Sequence, residues 1–247
     1  MSKIAVLGGG SFGTVVANII AENGHQVGFW MRSEEAAATI NSRRENPHYL
    51  PGYLLDEKVV ASHQMAEVTA GADVIFVAVP SSSFRPVVQE LKSQVDEQAM
   101  LISTTKGIEA GSFKFMTQIL QEEMPAARIG ALSGPNLAKE IAAKQLTGTV
   151  IASPHEAVRD RIQDSLRSKY FRVYTNDDMF GVELGGSLKN IYAIIAGMAA
   201  ALGMGYNTNS LLVTRSLTEM ARFGRELGAD PMTFLGLAGV GDLVATC

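Results

Sequence analysis

Cysteine is almost missing from this chain. Its 247 residues hold one, Cys247 at the last position, so no internal disulfide can form and a reducing compartment is the expectation. Histidine is scarce as well, and His25, His48, His63 and His155 show no metal-ligand spacing, so no metal site is expected. Basic charge is not in excess. A net charge of −4 argues against nucleic acid or an anionic membrane surface as the main partner. Long apolar runs are absent too: Ile4–Leu7 is too short for a signal peptide, and the longest stretch, Ile191–Met204, is too short to span a bilayer. Repeats and low-complexity tracts are lacking. What remains is a cytoplasmic globular protein, and 47% hydrophobic residues can build a full core in one large domain or two.

The most informative stretch is Ile4–Gly13, IAVLGGGSFG. Ile4–Leu7 has the unbroken apolar character of a buried parallel strand. Gly8, Gly10 and Gly13 follow at G-x-G-x-x-G spacing, and Thr14–Ile20 continues as an apolar helix. Gly8 lets the strand turn, Gly10 lets backbone approach a pyrophosphate, and Gly13 lets helix pack on sheet. The unpaired N–H groups at the helix start would face the phosphates. Strand before and helix after turn a weak pattern into a dinucleotide-binding signature. Gln26–Met31 reads as the second strand and ends in Arg32 rather than a carboxylate. Arginine cannot accept from a ribose hydroxyl but pairs with a 2′-phosphate, which favours NADP(H) over NAD(H). The plainer alternative is a surface arginine.

Beyond it, helix is expected at Glu34–Arg44 and an irregular loop at Asn46–Lys58. Strands follow at Val59–Ser62, Val74–Val79, Met100–Ser103 and Ile129–Leu132, with helices at Phe84–Val95 and Leu137–Lys144. Thr147–Ser153 and Arg172–Thr175 are further strands around a helix from Pro154 to Ser168. This alternation predicts an α/β, Rossmann-like, mostly parallel sheet. Past Asn176 the character is all-helical: Met179–Leu202, Ser210–Leu227 and a third helix from Asp230-Pro231. The expected division is residues 1–176 for dinucleotide binding and 177–247 for a helical second domain. Ligands in such sheets sit beyond the carboxyl ends of the strands, where Arg32, Pro80, Lys106 and Gly134 all fall.

Lys189 is the only charged side chain between Leu184 and Thr214. Its helical neighbours Gly185, Gly186, Ala193 and Ala196 are all small, so one face is shallow around it. A lysine half-desolvated there has its ammonium form disfavoured, which suits proton transfer. A lysine snorkelling to solvent is the alternative. Gly239-Val240-Gly241-Asp242 is a glycine-rich turn with one carboxylate. Asp242 could serve a polyol, position Lys189, or simply cap a helix.

LGGGSFGT, FVAVPS, STTKGIE, LSGPNLAKE, VELGGSLKNIYAIIAG, NTNSLLVTRSLTEMARFG and LAGVGDLVATC together resemble the soluble bacterial NAD(P)-dependent glycerol-3-phosphate dehydrogenase family, through the whole chain and in the family's order. The resemblance implies reversible reduction of dihydroxyacetone phosphate to sn-glycerol 3-phosphate, feeding phospholipid synthesis, with NADPH or NADH as cofactor and a possible homodimer. It implies cofactor contacts at Gly8, Gly10, Ser11, Phe12, Gly13, Arg32 and Ala138, and places Lys106 where cofactor and substrate meet. Gly134, Asn136 and Asp242 match substrate contacts, and Lys189 matches the proton acceptor. Position 136 is usually serine or threonine in the family; asparagine here is longer. The family also continues past Thr246-Cys247 into a serine-arginine-asparagine block and more helices. The resemblance therefore implies an incomplete helical domain that lacks the grip on the substrate phosphate. Such a chain is expected to bind NADPH, to self-associate and to show no readily detectable reduction.

For the complete enzyme the expected mechanism is hydride transfer to the C2 carbonyl, with Lys189 protonating the alkoxide and Lys106 holding the substrate. Two rivals stay open: another lysine-using dehydrogenase of β-hydroxyacid or ketopantoate type, and a nucleotide-binding module without catalysis.

Overall fold

The computed structural model describes residues 2–247 and opens with β1 (Lys3–Leu7), α1 (Ser11–Glu22), β2 (Gln26–Trp30) and α2 (Glu34–Arg43). A short hairpin of β3 (Glu45–Asn46) and β4 (Leu50–Leu54) follows, then β5 (Val59–Ser62), α3 (Met65–Thr69), β6 (Ala72–Val77) and α4 (Ser81–Leu91). Next come β7 (Met100–Ser103), α5 (Met116–Glu123), β8 (Arg128–Ser133), α6 (Ala138–Ala142), β9 (Thr147–Ala152), α7 (Glu156–Leu166) and β10 (Phe171–Asn176). Two long helices, α8 (Met179–Ala201) and α9 (Tyr206–Glu226), precede a run of short turns.

The main sheet has eight strands in the order β10-β9-β8-β7-β6-β1-β2-β5. All neighbours are parallel except β8 and β9, which pair antiparallel. In β1, Ile4 and Val6 join a core with Ile19, Phe29 and Phe171 on one face. Ala5 and Leu7 join another with Phe84, Leu91 and Ile119 on the opposite face. Because both faces are covered, the strand reads as a continuous apolar run rather than an alternating one.

Three expectations change. Asn46–Lys58 is not wholly irregular: β3 and β4 pair antiparallel, and Pro51 and Gly52 had hidden the strand pattern. Helix α5 had no sequence signal because its cap is Phe115, whose N–H donates to the Gln118 side chain at 2.9 Å. The third helix of the second domain is instead a 3₁₀ turn (Pro231–Leu235), a π turn (Leu237–Gly241) and one α turn (Asp242–Val244). Asp230 does cap its start, accepting from the Met232 N–H at 2.9 Å. Gly236 then breaks the helix with extended backbone, and a Cβ on Gly239 would lie 2.1 Å from the Phe234 carbonyl oxygen. That tight path carries Asp242 inward.

Helix α8 crosses the sheet's carboxyl edge with its glycine face inward. A Cβ on Gly185 would lie 2.8 Å from the Ala238 carbonyl oxygen, and one on Gly186 2.8 Å from Ser133 Oγ. Its second half leaves Ile191, Ile194, Ile195 and Met198 exposed. Among the described residues, no helix is long and apolar enough to cross a membrane.

Candidate active site

A cleft of about 620 Å³ opens over the carboxyl ends of β1, β2 and β6, a size in the range of cofactor sites. Gly8, Gly9, Gly10, Phe12 and Gly13 form its floor, Trp30, Arg32 and Tyr49 one wall, and Val79, Pro80, Thr105 and Lys106 the other. Gly8 has φ +121°, a conformation that only glycine adopts without strain, and it turns the chain from strand to helix. A Cβ on Gly13 would sit 2.1 Å from the Gly8 carbonyl oxygen, so the helix can approach the strand only through glycine. A Cβ on Gly10 would meet nothing within 4 Å, because that side of the loop faces open cleft. The start of α1 carries no side-chain cap, so its N–H groups are available to an anion. Glycine geometry, open floor and uncapped helix together fit a dinucleotide pyrophosphate. No carboxylate lines this cleft among the described residues, and Arg32 is exposed at its mouth.

Lys106, Lys189 and Asp242 meet beyond the end of β7. Lys106 Nζ donates to Asp242 Oδ2 and, at 3.2 Å, to the Gly134 carbonyl. Lys189 Nζ donates to Asp242 Oδ1 and, at 2.8 Å, to Thr246 Oγ1. Lys189 and Asp242 are buried, with side chains 8% and 3% exposed, whereas Lys106 reaches into the cleft. Lys189 does not snorkel, and Asp242 does not act as a helix cap. Burial pushes the Lys106 ammonium below the usual lysine range; Asp242 opposes this and neighbouring Lys189 adds to it. Two ammonium groups against one carboxylate leave the centre with an excess positive charge, suited to an anionic substrate.

A second cleft of about 290 Å³ is lined by Phe12, Thr104, Lys106, Leu132 and Asn136. It shares Phe12, Thr104 and Lys106 with the first, so Lys106 stands where the two join. Asn136 Nδ2 donates to Thr149 Oγ1 at 2.9 Å, while its buried Oδ1 has no hydrogen-bond partner. Gly134 has φ +145° and offers its carbonyl to Lys106. Ser11 does not line the cleft, and its hydroxyl donates to the Tyr49 carbonyl at 3.1 Å. Ala138 begins α6 and packs against the core rather than lining either cleft.

Several residues had no signal in the sequence. Asn46 of β3 donates to the Gly9 carbonyl at 2.9 Å and to Thr14 Oγ1 at 2.8 Å, bracing the glycine loop from a segment read as irregular. Thr246 holds Lys189 across 57 positions. Glu183 is buried in α8 and bonded to α5. Gly9 and Thr105 line the cleft beside the motif glycines and Lys106, and adjacency was their only available signal.

Two family profiles match. The one described as the NAD-dependent glycerol-3-phosphate dehydrogenase N-terminus covers residues 3–159, and the C-terminus of the same family covers residues 178–247. The chain is similar to the glycerol-3-phosphate dehydrogenase [NAD(P)+] of Alcanivorax borkumensis, 55% identical across 98% of this chain and 71% of that protein. It is also similar to that of Azotobacter vinelandii, 58% identical across 99% of this chain and 72% of the relative. Among solved structures, glycerol-3-phosphate dehydrogenase from Coxiella burnetii superimposes with TM-score 0.95 at 36% identity, over 100% of this chain and 75% of its own.

Proposed function

Since the chain belongs to the NAD-dependent glycerol-3-phosphate dehydrogenase family, we propose a division of labour among its residues for the reduction of dihydroxyacetone phosphate to sn-glycerol 3-phosphate. The family's cofactor is NADH or NADPH; the absence of a carboxylate at the end of β2 and the presence of Arg32 favour NADPH. Residues 1–176 hold the nucleotide and residues 177–247 supply most of the reactive centre. When bound, the nicotinamide supplies the hydride that the C2 carbonyl accepts. The protein supplies everything else.

Lys189 Nζ gives a proton to the oxygen that becomes the C2 hydroxyl, and takes it back in the oxidative direction. Thr246 and Asp242 hydrogen-bond that nitrogen and aim it at the developing alkoxide. Lys106, at the join of the clefts, holds the substrate and stabilises the negative charge growing on oxygen. Gly134 orients Lys106 through its carbonyl, and Asn136 Oδ1 offers an acceptor to a substrate hydroxyl. The observation that carries this reading is the meeting of two lysines on one buried carboxylate at the end of a nucleotide cleft. The experiment is steady-state NADPH oxidation by the enzyme at the full length of its relatives, with dihydroxyacetone phosphate set against a β-keto acid and ketopantoate. Faster turnover of either competitor would overturn the assignment of substrate.

A cytoplasmic location is supported by the single cysteine and the acidic balance of charge. A homodimer is supported by the apolar side chains exposed on α8, and sedimentation velocity tests it.

A further inference from the structure

Glu183 is a buried carboxylate that the proposed chemistry leaves unused. It lies on α8, two turns before Lys189, and reaches across to the start of α5. Thr117 donates its backbone N–H to Glu183 Oε1 at 3.0 Å and its hydroxyl to Oε2. The carboxylate thus satisfies the first turn of a helix whose own cap residue, Phe115, offers no oxygen. One turn on, along the same face of α8, Ser187 Oγ accepts the Gly107 N–H at 3.2 Å. Between them Gly186 lies over the stem of Lys106, with a Cβ there only 3.6 Å from Lys106 Cγ. Helix α8 is therefore fastened at two points, to α5 and to the loop after β7 that carries Lys106. Lys189 leaves the same helix on the adjacent face, toward Asp242.

We propose that Glu183 is a positioning residue: by capping α5 from α8 it sets the register of α8 on the sheet, and through that register the placement of Lys189 against Lys106 and Asp242. Its link to catalysis rests on the roles assigned above to those three residues. Burial raises the Glu183 carboxyl to about 7, with the Thr117 hydroxyl and the Thr117 and Met116 backbone opposing. Lys106 is the other ionisable side chain lining the small cavity beside it. Lys114, Glu122 and Glu123, around α5, are engaged in surface ion pairs with one another and with Arg85.

The test uses Glu183→Gln, Glu183→Leu and Thr117→Val in the enzyme at the full length of its relatives, reading kcat, NADPH affinity and amide hydrogen exchange. Glutamine can accept from the Thr117 N–H and donate to its hydroxyl, so Glu183→Gln is expected to keep kcat within about threefold. Leucine keeps the volume without the bonds. Glu183→Leu is expected to lose kcat by about ten- to a hundredfold, since misplacing a reacting group by an ångström has that scale of effect, while the NADPH Kd stays within about twofold. Exchange at amides 182–189 is expected to quicken in the leucine variant and not in the glutamine one. Unchanged kcat and exchange with leucine would overturn the proposal, as would an equal loss of kcat and NADPH affinity. Should the leucine variant not fold, Thr117→Val decides: faster exchange at 182–189 with NADPH binding kept supports the proposal, and unchanged exchange overturns it. Absence of turnover in that unmutated full-length enzyme would sink the functional reading alone, because the exchange experiment still reports on register.

Discussion

The nucleotide cleft and the lysine–aspartate centre adjoin each other, yet they are built on opposite principles. The floor of the cleft comes from five residues within one short loop, Gly8, Gly9, Gly10, Phe12 and Gly13, and most of its geometry is backbone: a positive φ, an absent Cβ, a helix start. The reactive centre draws on Lys106, Lys189 and Asp242, the outer two separated by 136 positions, and most of its geometry is side chain. A backbone site costs little to keep charged groups away from, and it is open. A side-chain site must bury charge, and burial is tolerable only because each ammonium finds the same carboxylate. The first is therefore local and pre-formed, whereas the second exists only when α8, the π turn and β7 are all in place.

The largest effect that would separate the two regions is Lys189→Met in the enzyme at the full length of its relatives. Methionine keeps the stem's volume and deletes the ammonium, so kcat should fall at least about a hundredfold, the usual scale of general acid help. NADPH binding should be nearly unchanged, because Lys189 does not line the cleft. Retention of more than about a tenth of kcat would remove Lys189 from the role of proton donor.

Arg32→Asp acts on the other region. A charge-assisted hydrogen bond to a 2′-phosphate is worth roughly 1.5–3 kcal/mol, and aspartate substitutes repulsion for it. NADPH should weaken by about tenfold or more relative to NADH, with kcat at saturating nucleotide unaffected. Titration of both nucleotides into both proteins checks this, and equal losses would reduce Arg32 to a packing role.

Gly13→Ala probes the backbone itself. A methyl group placed 2.1 Å from the Gly8 carbonyl oxygen must push helix from strand. Overpacking of this kind costs about 1–3 kcal/mol, so the NADPH Kd should rise by about tenfold. A wild-type Kd would mean that the α1 start relaxes without disturbing the cleft.

The contrast also explains what was legible in the sequence. The strand, the glycines and the helix of the first unit form a contiguous pattern, so their fold could be read from residues 4–20, and the same pattern carries the expectation of a nucleotide there. Lys189 was legible for a different reason: a lone charge in a long uncharged helix is conspicuous, although nothing local tells where its partner lies. Asp242 was found as a possible partner but not distinguished from a helix cap, because the π turn that aims it inward has no sequence pattern of its own. Asn46, Thr246 and Glu183 were invisible as functional positions. Each acts through a contact more than 30 positions away, and such pairings are set by tertiary packing rather than by periodicity.

Glu183 joins α8, the helix that carries Lys189, to α5 of the first unit, and its titration gives the smallest and sharpest test of the join. Its carboxyl is raised from 4.5 to about 7 in the folded protein, chiefly by burial. A carboxyl with a raised folded value binds its proton more tightly when folded than when unfolded. Its contribution to stability is thus fully present below the unfolded value and is lost as pH rises through the folded one. Between about pH 5 and pH 8 the wild type should therefore lose melting temperature relative to Glu183→Gln, which has no proton to release. The difference should amount to a few degrees, and it should level off below about pH 4.5, where the carboxyl is protonated in both states. Thermal melts of the two proteins across that range measure it. A constant difference would mean that the carboxyl titrates at the same pH whether folded or not. The bond from α8 to α5 would then be one that water reaches freely, and the two regions would be less firmly joined than their shared burial implies.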